Sequence, residues 1–161
     1  MSEKDLRKEP GQWSDEDGVF ILPDEWRLSY MVSCGELSPF FRALKEEGVL
    51  MGTHCPYCGS IYCPPRSWCH DCYEDTEWVE MSGKGELIAF TKGYFATSDL
   101  VDEVPFYQGG VRLEGARYPI VCRIKLDDEE KLQPGIPMRV EFKPPEERLG
   151  RVTDYYFVLD E

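Results

Sequence analysis

Residues 55–72 read CPYCGSIYCPPRSWCHDC and hold five of the seven cysteines of this 161-residue chain. Cys55 and Cys58 form one C-x2-C pair, and Cys69 and Cys72 form an identical pair after a gap of ten residues. Such a pair makes a tight turn that points two thiolates at one ion, and four thiolates at about 2.3 Å complete a closed tetrahedral zinc site. The sequence therefore predicts a structural zinc ribbon with these four cysteines as ligands.

Iron is the alternative metal for this cluster. Rubredoxin-type iron sites favour glycine after both cysteine pairs, whereas here Gly59 follows the first pair and Tyr73 follows the second. Zinc is therefore the favoured ion. His54 and His70 flank the ligand cysteines, but four thiolates already satisfy the ion, so we assign them no metal role.

The three remaining cysteines are open to several interpretations. Cys63 lies between the two pairs and is a fifth ligand, a redox thiol or a small buried residue. Free cysteine is among the most buried residue types, which favours the buried interpretation. Cys34 and Cys122 are interpreted in the same way.

The charge of the chain limits its partners. It carries 31 acidic and 18 basic residues, a formal net charge of −13 and a pI of about 4.6. Long-range electrostatics therefore repel phosphate polyanions, which argues against nucleic acid. Screening limits remote charges to about 8 Å at physiological salt, so a small anionic coenzyme remains compatible with a local basic patch.

The opening residues MSEKDLRKEPGQWSDEDG are charged and polar, and they lack the apolar run of a secretory signal. No window approaches the length of a membrane span. We therefore expect a cytoplasmic protein that does not enter a membrane. In a reducing compartment clustered cysteines are more often metal ligands than disulfides, which agrees with the zinc prediction.

Residues 1–37 are predicted to form an acidic N-terminal arm. Glycine and proline interrupt this segment, and the large aromatic residues Trp13 and Trp26 stand among its charges. Aromatic anchors of this kind are typical of interfaces, so we predict that both tryptophans dock on a partner or on the chain's own domain. A frayed terminus is the alternative.

Residues 38–82 are predicted to form a short helix followed by the zinc ribbon. Ser38 is the expected N-cap, Pro39 occupies the first helical position and Gly48 stops the helix. Phe40 and Phe41 then share one side with Leu44. This face packs either on the chain's own ribbon or on another subunit. A strand over 49–53 leads into the cysteines.

Residues 83–161 are predicted to form an all-β module. Five segments with β-branched and aromatic residues are separated by turn formers, at 85–97, 105–113, 118–126, 136–142 and 153–159. Five short strands in one small module favour a closed barrel of the OB type, because closure removes exposed edges. The fold class is thus mainly β, and a small sandwich is the alternative to the barrel.

Motifs of catalysis are missing from the sequence. It contains no Gly-rich phosphate loop before a helix, no G-x-S-x-G elbow and no H-E-x-x-H. The many carboxylates are explained by a solvated acidic surface. We therefore expect that the chain alone is not an enzyme.

The sequence from 38 to about 159 resembles the zinc-ribbon/OB-fold acyl-CoA-associated proteins. The resemblance rests on the helix and four-cysteine ribbon in 38-SPFFRALKEEGVLMGTHCPYCGSIYCPPRSWCHDC-72, which includes the motif 64-PPR-66, and on two later motifs, 78-WVEMSGKG-85 and 89-AFT-91. Cys63 departs from the pattern, which has a large apolar or aromatic residue before the two prolines. The N-terminal arm lies outside the resemblance.

This resemblance implies an accessory subunit in a hetero-oligomer. Its members are partners of thiolase-superfamily enzymes, which include thiolases, 3-hydroxy-3-methylglutaryl-CoA synthases and steroid side-chain aldolases. The implied roles are to support the partner's fold and to help form its acyl-CoA site, with thiolases that act on aromatic 3-oxoacyl-CoA among the candidate partners. Phe40, Phe41, Trp13 and Trp26 are then candidate interface residues.

Coenzyme A thioester is implied as a ligand of the complex only, and no contacting residue is assigned. The candidate cations are six basic residues of the β module: Arg112, Arg117, Arg139, Lys143, Arg148 and Arg151. Two functions from other classes stay open. A zinc ribbon beside an OB barrel also binds single-stranded nucleic acid, and a four-cysteine iron site transfers electrons.

Overall fold

The computed structural model describes residues 14–16, 19–21, 30–95 and 104–160. The chain divides into two compact units, Met1–Ser33 and Cys34–Glu161. In the first unit, β1 (Ser14–Glu16) pairs antiparallel with β2 (Val19–Ile21). Trp13 and Trp26 lie outside the described residues, so their predicted docking stays a prediction.

Helix α1 (Ser38–Glu46) confirms the predicted helix, but the predicted N-cap is wrong. A 3-10 turn over Gly35–Leu37 runs directly into the helix, which makes Leu37 the residue at the N-cap position. The Ser38 hydroxyl therefore donates to the carbonyl oxygen of Gly35 at 2.5 Å and leaves the helix amides uncapped.

The end of the helix agrees with the sequence. Gly48 has φ of +69°, and its amide donates to the carbonyl of Ala43 at 2.9 Å. This left-handed residue turns the chain away from the helix axis, as glycine does at the C-terminus of many helices. The chain then enters the ribbon.

The ribbon is a three-stranded antiparallel sheet in the order β4-β3-β5. Its strands are β3 (Met51–His54), β4 (Ile61–Tyr62) and β5 (Glu77–Glu80). Strand β3 begins two residues later than the predicted strand. The cysteine pairs occupy the turns on either side of β4, so the sheet holds both turns at one end.

The second part of the Cys34–Glu161 unit is a closed five-stranded barrel. This confirms the predicted OB barrel over the alternative of a small sandwich. Its strands run in the order β10-β8-β7-β6-β9, and β9 pairs back with β10. All pairs are antiparallel except β8 with β10, which is parallel. The strand bounds are β6 (Lys84–Gly93), β7 (Phe106–Leu113), β8 (Ile120–Ile124), β9 (Pro137–Phe142) and β10 (Tyr155–Leu159).

The barrel wall is tight at Gly109 in β7. A Cβ at this position would lie 2.6 Å from Ile124 Cδ1 and 2.8 Å from the carbonyl oxygen of Ala89. Only a residue without a side chain fits there. The register of β6 on β7 also shifts between Leu87 and Ala89, a β-bulge that bends the strand around the ring.

One continuous core joins the helix, the ribbon and the barrel. Phe40 is 3% exposed and Leu44 is fully buried, and both pack with Cys63 from the ribbon and Phe157 from the barrel. Both residues therefore pack within the chain rather than against another subunit. Within the described residues, no helix is long and apolar enough to cross a membrane.

Candidate metal centre and its surroundings

The four predicted ligands converge at one end of the ribbon. The sulfur atoms of Cys55, Cys58, Cys69 and Cys72 all lie within 4.8 Å of one another. The sulfur atoms of Cys58 and Cys69 are 3.7 Å apart. Four bonds of about 2.3 Å in a tetrahedron place sulfurs about 3.8 Å apart, so the cluster fits a zinc ion with no open coordination position.

The two cysteine turns share one backbone design. In the first turn the Cys55 amide donates to the Ser60 carbonyl at 2.9 Å, and the Gly59 amide donates to the Cys55 carbonyl at 2.8 Å. In the second turn the Cys69 amide bonds Glu74 and the Tyr73 amide bonds Cys69, both at 2.8 Å. Gly59 and Tyr73 therefore occupy equivalent positions, and both have positive φ, +72° and +59°.

A buried tyrosine contacts the four-cysteine cluster. The Tyr62 hydroxyl lies 3.2 Å from Cys69 Sγ and 3.2 Å from His70 Nδ1, and Tyr62 is only 1% exposed. Its hydrogen bond lowers the pKa of Cys69 to about 6. Burial raises the pKa of Tyr62, so this hydroxyl keeps its proton. Tyr62 is thus a donor that stabilises Cys69 as the thiolate that a metal requires.

The pKa values of Cys58 and Cys72 shift in opposite directions. The Ser60 hydroxyl lies 3.3 Å from Cys58 Sγ and lowers the pKa of that thiol. The hydrogen bond to Cys58 raises the pKa of Cys72 to about 12. The metal-free cluster therefore keeps a proton on Cys72. Metal binding displaces such protons, so the affinity for metal falls as pH falls.

A polar network continues from His70 to the loop between β7 and β8. His70 Nε2 lies 3.4 Å from the Tyr118 hydroxyl and 3.0 Å from Asp71 Oδ1. Arg117 forms an ion pair with Asp71 and lies 3.3 Å from the Ser60 hydroxyl. The network ties the metal end of the ribbon to the barrel.

This network is not visible in the sequence. Nothing in the spacing gives Tyr62 a role at the metal, and Arg117 stands there only as one of six basic residues of the β module. The alternation of β4 gives one signal, because it turns Tyr62 to the buried face while Ile61 is half-buried. The pairing of Arg117 with Asp71 bridges a long sequence separation, which spacing does not reveal.

The segment 64-PPR-66 is fixed by a buried threonine. The Thr53 hydroxyl donates to the Arg66 carbonyl at 2.9 Å and accepts from the Arg66 amide at 3.0 Å. The Thr76 hydroxyl bonds the same carbonyl. These contacts set the approach of the chain to the second cysteine turn.

The remaining cysteines divide into two kinds. Cys63 is 2% exposed and Cys122 is 5% exposed, and burial raises the pKa of each thiol to about 12. Cys63 lies outside the sulfur cluster and contacts the Met51 carbonyl at 3.7 Å. Both are buried core residues, as predicted. Cys34 is exposed, so its predicted burial is wrong.

The candidate interface residues on the helix differ in exposure. Phe40 belongs to the core, whereas Phe41 is half-buried and packs edge-on against Phe40 with ring centroids 5.2 Å apart. Of this pair, Phe41 has surface left for a partner.

Several of the candidate coenzyme cations are engaged within the chain. Arg139 pairs with Glu141 at 2.6 Å, and Arg148 donates to the Lys143 carbonyl at 2.7 Å. Arg139 also lines a cleft of about 780 Å³ beside β8, β9 and β10, together with Arg123 and Lys125. There Arg123 lies 4.6 Å from the Phe106 ring centroid, and Lys125 lies 3.9 Å from that of Tyr156.

A four-cysteine zinc ribbon followed by a closed OB barrel defines the class of this protein. Two family models match it in that order. Residues 42–79 match the rubredoxin-like zinc ribbon domain of ChsH2, and residues 78–143 match the C-terminal OB-fold domain of ChsH2. The chain belongs to this family of zinc-ribbon/OB-fold proteins, which confirms the resemblance seen in the sequence.

A relative of known sequence agrees with this family assignment. A DUF35 domain-containing scaffold protein of Methanocaldococcus jannaschii is 34% identical over 80 residues, which are 48% of this chain and 57% of that protein. The match thus spans little more than half of that relative's length.

Two solved structures share the fold. The first, an Ltp2-ChsH2(DUF35) aldolase, has a TM-score of 0.66 at 21% identity and covers 82% of this chain and 100% of that chain. The second, a DUF35 family protein of unknown function from Sulfolobus solfataricus, has a TM-score of 0.56 at 20% identity, with coverage of 78% and 87%. At these identities the comparison concerns the fold alone.

Proposed function

We propose that this protein is a non-catalytic, zinc-containing accessory subunit that binds and supports a thiolase-superfamily enzyme acting on acyl-CoA. The observation that carries the proposal is the closed four-cysteine site on a ribbon that shares its core with an OB barrel. Four protein ligands leave a zinc ion no position for water or substrate, so the metal's role is structural.

The relatives support a role in assembly. The archaeal relative is described as a scaffold protein, and the first structural neighbour is described as an aldolase formed with Ltp2. The narrower form of the proposal is the small subunit of a thiolase for an aromatic 3-oxoacyl-CoA, such as benzoylsuccinyl-CoA thiolase. That narrower form is supported by the sequence resemblance alone.

The cleft beside β8–β10 supports a share in the acyl-CoA site. A volume of about 780 Å³ is within the usual range for small-molecule sites. Arg123 and Lys125 place cationic groups over aromatic rings there, which suits a ligand that combines phosphates with a planar base. Asp127 and Asp128 also line the cleft and limit its positive charge. We therefore assign the coenzyme contact to the assembled complex.

The test is a native purification of the tagged full chain from its own cells, with mass spectrometry of the partner and elemental analysis of the same sample. A stoichiometric thiolase-superfamily enzyme and one zinc per small chain are expected. A partnerless monomer would overturn the proposal. In that case a red, iron-containing sample would point to electron transfer, and retention of single-stranded nucleic acid on filters at low salt would point to nucleic-acid binding.

A variant of helix α1 provides a second test. Phe41→Ala is expected to weaken co-purification, while the zinc content stays at one per chain because the cysteine turns are untouched. Phe90→Ala is the control, since Phe90 is a phenylalanine with 39% of its surface exposed on the barrel strand β6. Equal retention of the partner by both variants would remove Phe41 from the interface.

A further inference from the structure

Two aromatic rings stack on the outside of the second cysteine turn. The rings of Trp68 and Tyr73 have centroids 6.2 Å apart and planes within 13° of parallel. Trp68 is 49% exposed and Tyr73 is 80% exposed, so the stack presents its apolar surface to solvent. Exposed aromatic surface of this kind is typical of binding hot spots.

The backbone at Tyr73 is held in a conformation that tyrosine disfavours. Its φ of +59° is the only positive value at a non-glycine residue in the described part of the chain. The first turn places Gly59 at the equivalent position, and glycine adopts this conformation without strain. Glycine at position 73 would therefore give this turn less backbone strain than tyrosine does. Since the Tyr73 ring is exposed, burial within the chain does not explain its presence either.

An open groove adjoins the stack. Trp68 lines it together with Leu37 from the turn before α1 and Pro65 from the 64-PPR-66 segment, and its volume is about 430 Å³. Arg66 also borders the groove but lies 5.8 Å from the centroid of the Tyr62 ring, where it is already engaged. The stack and the groove together form what we call the aromatic knuckle face, defined by Leu37, Pro65, Trp68 and Tyr73.

Three acidic residues lie next to this face in the sequence or line its groove. Glu74 and Asp75 follow Tyr73 directly, both are exposed, and neither forms an ion pair with any residue that the structure describes. Glu36 also lines the groove. A surface that covers the stack would approach these carboxylates. Electrostatic complementarity therefore favours an occupant whose rim carries lysine or arginine.

We propose that the aromatic knuckle face docks into an apolar cleft, rimmed by basic residues, on the partner enzyme. This inference rests on the accessory function proposed above and names the surface that serves it. A second copy of the chain would bring the same acidic rim and a net charge of −13 against it. Residues 1–33 carry eight acidic and four basic residues, so this preceding segment fits the acidic rim no better.

The test uses full-length chains and, as the probe, the purified enzyme that co-purifies with the wild type. Tyr73→Gly removes the ring and relieves the backbone strain, so failure to fold cannot account for lost binding. We expect Tyr73→Gly to weaken binding at least tenfold in calorimetric titration, with zinc content unchanged. Tyr94→Ala is the matched control, because Tyr94 is 74% exposed on the barrel, and its affinity should stay within twofold.

A charge-reversed variant tests the proposed rim. Glu74→Lys with Asp75→Lys should weaken binding most at low salt, because screening removes a charge contact as ionic strength rises. Unchanged affinity for Tyr73→Gly, or an equal loss for Tyr94→Ala, would overturn the inference while leaving the accessory function intact. A wild-type homodimer that Tyr73→Gly dissociates in sedimentation would also overturn it. Absence of any co-purifying enzyme would instead overturn the function itself.

Discussion

The ribbon and the barrel bury very different amounts of apolar surface. The ribbon's own cluster consists of Cys55, Tyr62 and Cys69, two of which are metal ligands. The barrel contributes most of the larger core, which includes Leu87, Met138 and Phe157, all fully buried. A small module without such a core needs another source of stability, and a structural metal supplies it. Metal binding and apolar burial thus stabilise neighbouring parts of one compact unit.

Removal of the metal should have the largest effect. Structural zinc contributes apparent free energies of about 10–16 kcal/mol in comparable modules. We therefore expect Cys55→Ser, or chelation of the wild type, to abolish amide protection in β3, β4 and β5 while the barrel strands keep theirs. Hydrogen exchange measured by mass spectrometry checks this. Protected ribbon amides in the metal-free chain would contradict the contrast between the two regions.

Phe157→Ala should destabilise the barrel core and leave the metal site of the ribbon intact. Phe157 is fully buried, and such truncations cost about 3–5 kcal/mol of unfolding free energy because a cavity remains. We expect the midpoint of urea denaturation to fall while the folded variant still holds one zinc per chain. A zinc-free variant under folding conditions would show that the ribbon cannot persist without an intact barrel core.

Tyr62→Phe sharpens the comparison at the metal itself. The hydroxyl donates to Cys69, and loss of such a contact behind a ligand lowers metal affinity roughly tenfold or more. Competition with a chromophoric chelator measures the change. Tyr118→Phe is the control, since its hydroxyl contacts His70 but no sulfur. Similar losses in both variants would assign the effect to the wider network.

The Tyr62 contact also sets a pH dependence. Its hydrogen bond lowers the pKa of Cys69, so the stability it contributes is present above the ordinary thiol pKa and is lost as pH falls through about 6. Wild-type zinc affinity should therefore hold to lower pH than that of Tyr62→Phe. Chelator competition from pH 8 down to about 5 resolves the two profiles. Superimposed profiles would argue against Tyr62 as the donor.

Arg117→Ala should have the smallest effect. The ion pair of Arg117 with Asp71 joins the ribbon to the barrel, but both side chains are more than one-third exposed. Solvent screening leaves such an exposed pair with little net stabilisation. A small fall in thermal midpoint is expected, and it should vanish at high salt. A larger loss would mean that this contact between the ribbon and the barrel, and not the metal or the core, limits the stability of the chain.

The sequence predicted most of the fold, because the decisive signals are local. The spacing of Cys55, Cys58, Cys69 and Cys72 places the metal cluster, and runs of β-branched and aromatic residues mark all five barrel strands. The OB topology followed from strand number and the need to close edges. These signals depend on neighbours in sequence, so one chain suffices to recognise them.

Other features depend on tertiary contacts and were missed or mistaken. Ser38 has the chemistry of an N-cap, but the preceding 3-10 turn takes that role from it. The ring stack of Trp68 on Tyr73 follows from a left-handed backbone that spacing does not disclose. Trp13 and Trp26 stay predictions.

Strand β10 closes the barrel by pairing with β8 on one side and β9 on the other. During synthesis, the four metal ligands leave the ribosome well before this strand does. The nascent ribbon can therefore take up its ion while β8 and β9 still lack their shared neighbour. Until β10 emerges, two unpaired strand edges are open to other chains, which makes this interval the one in which the nascent protein most needs chaperones.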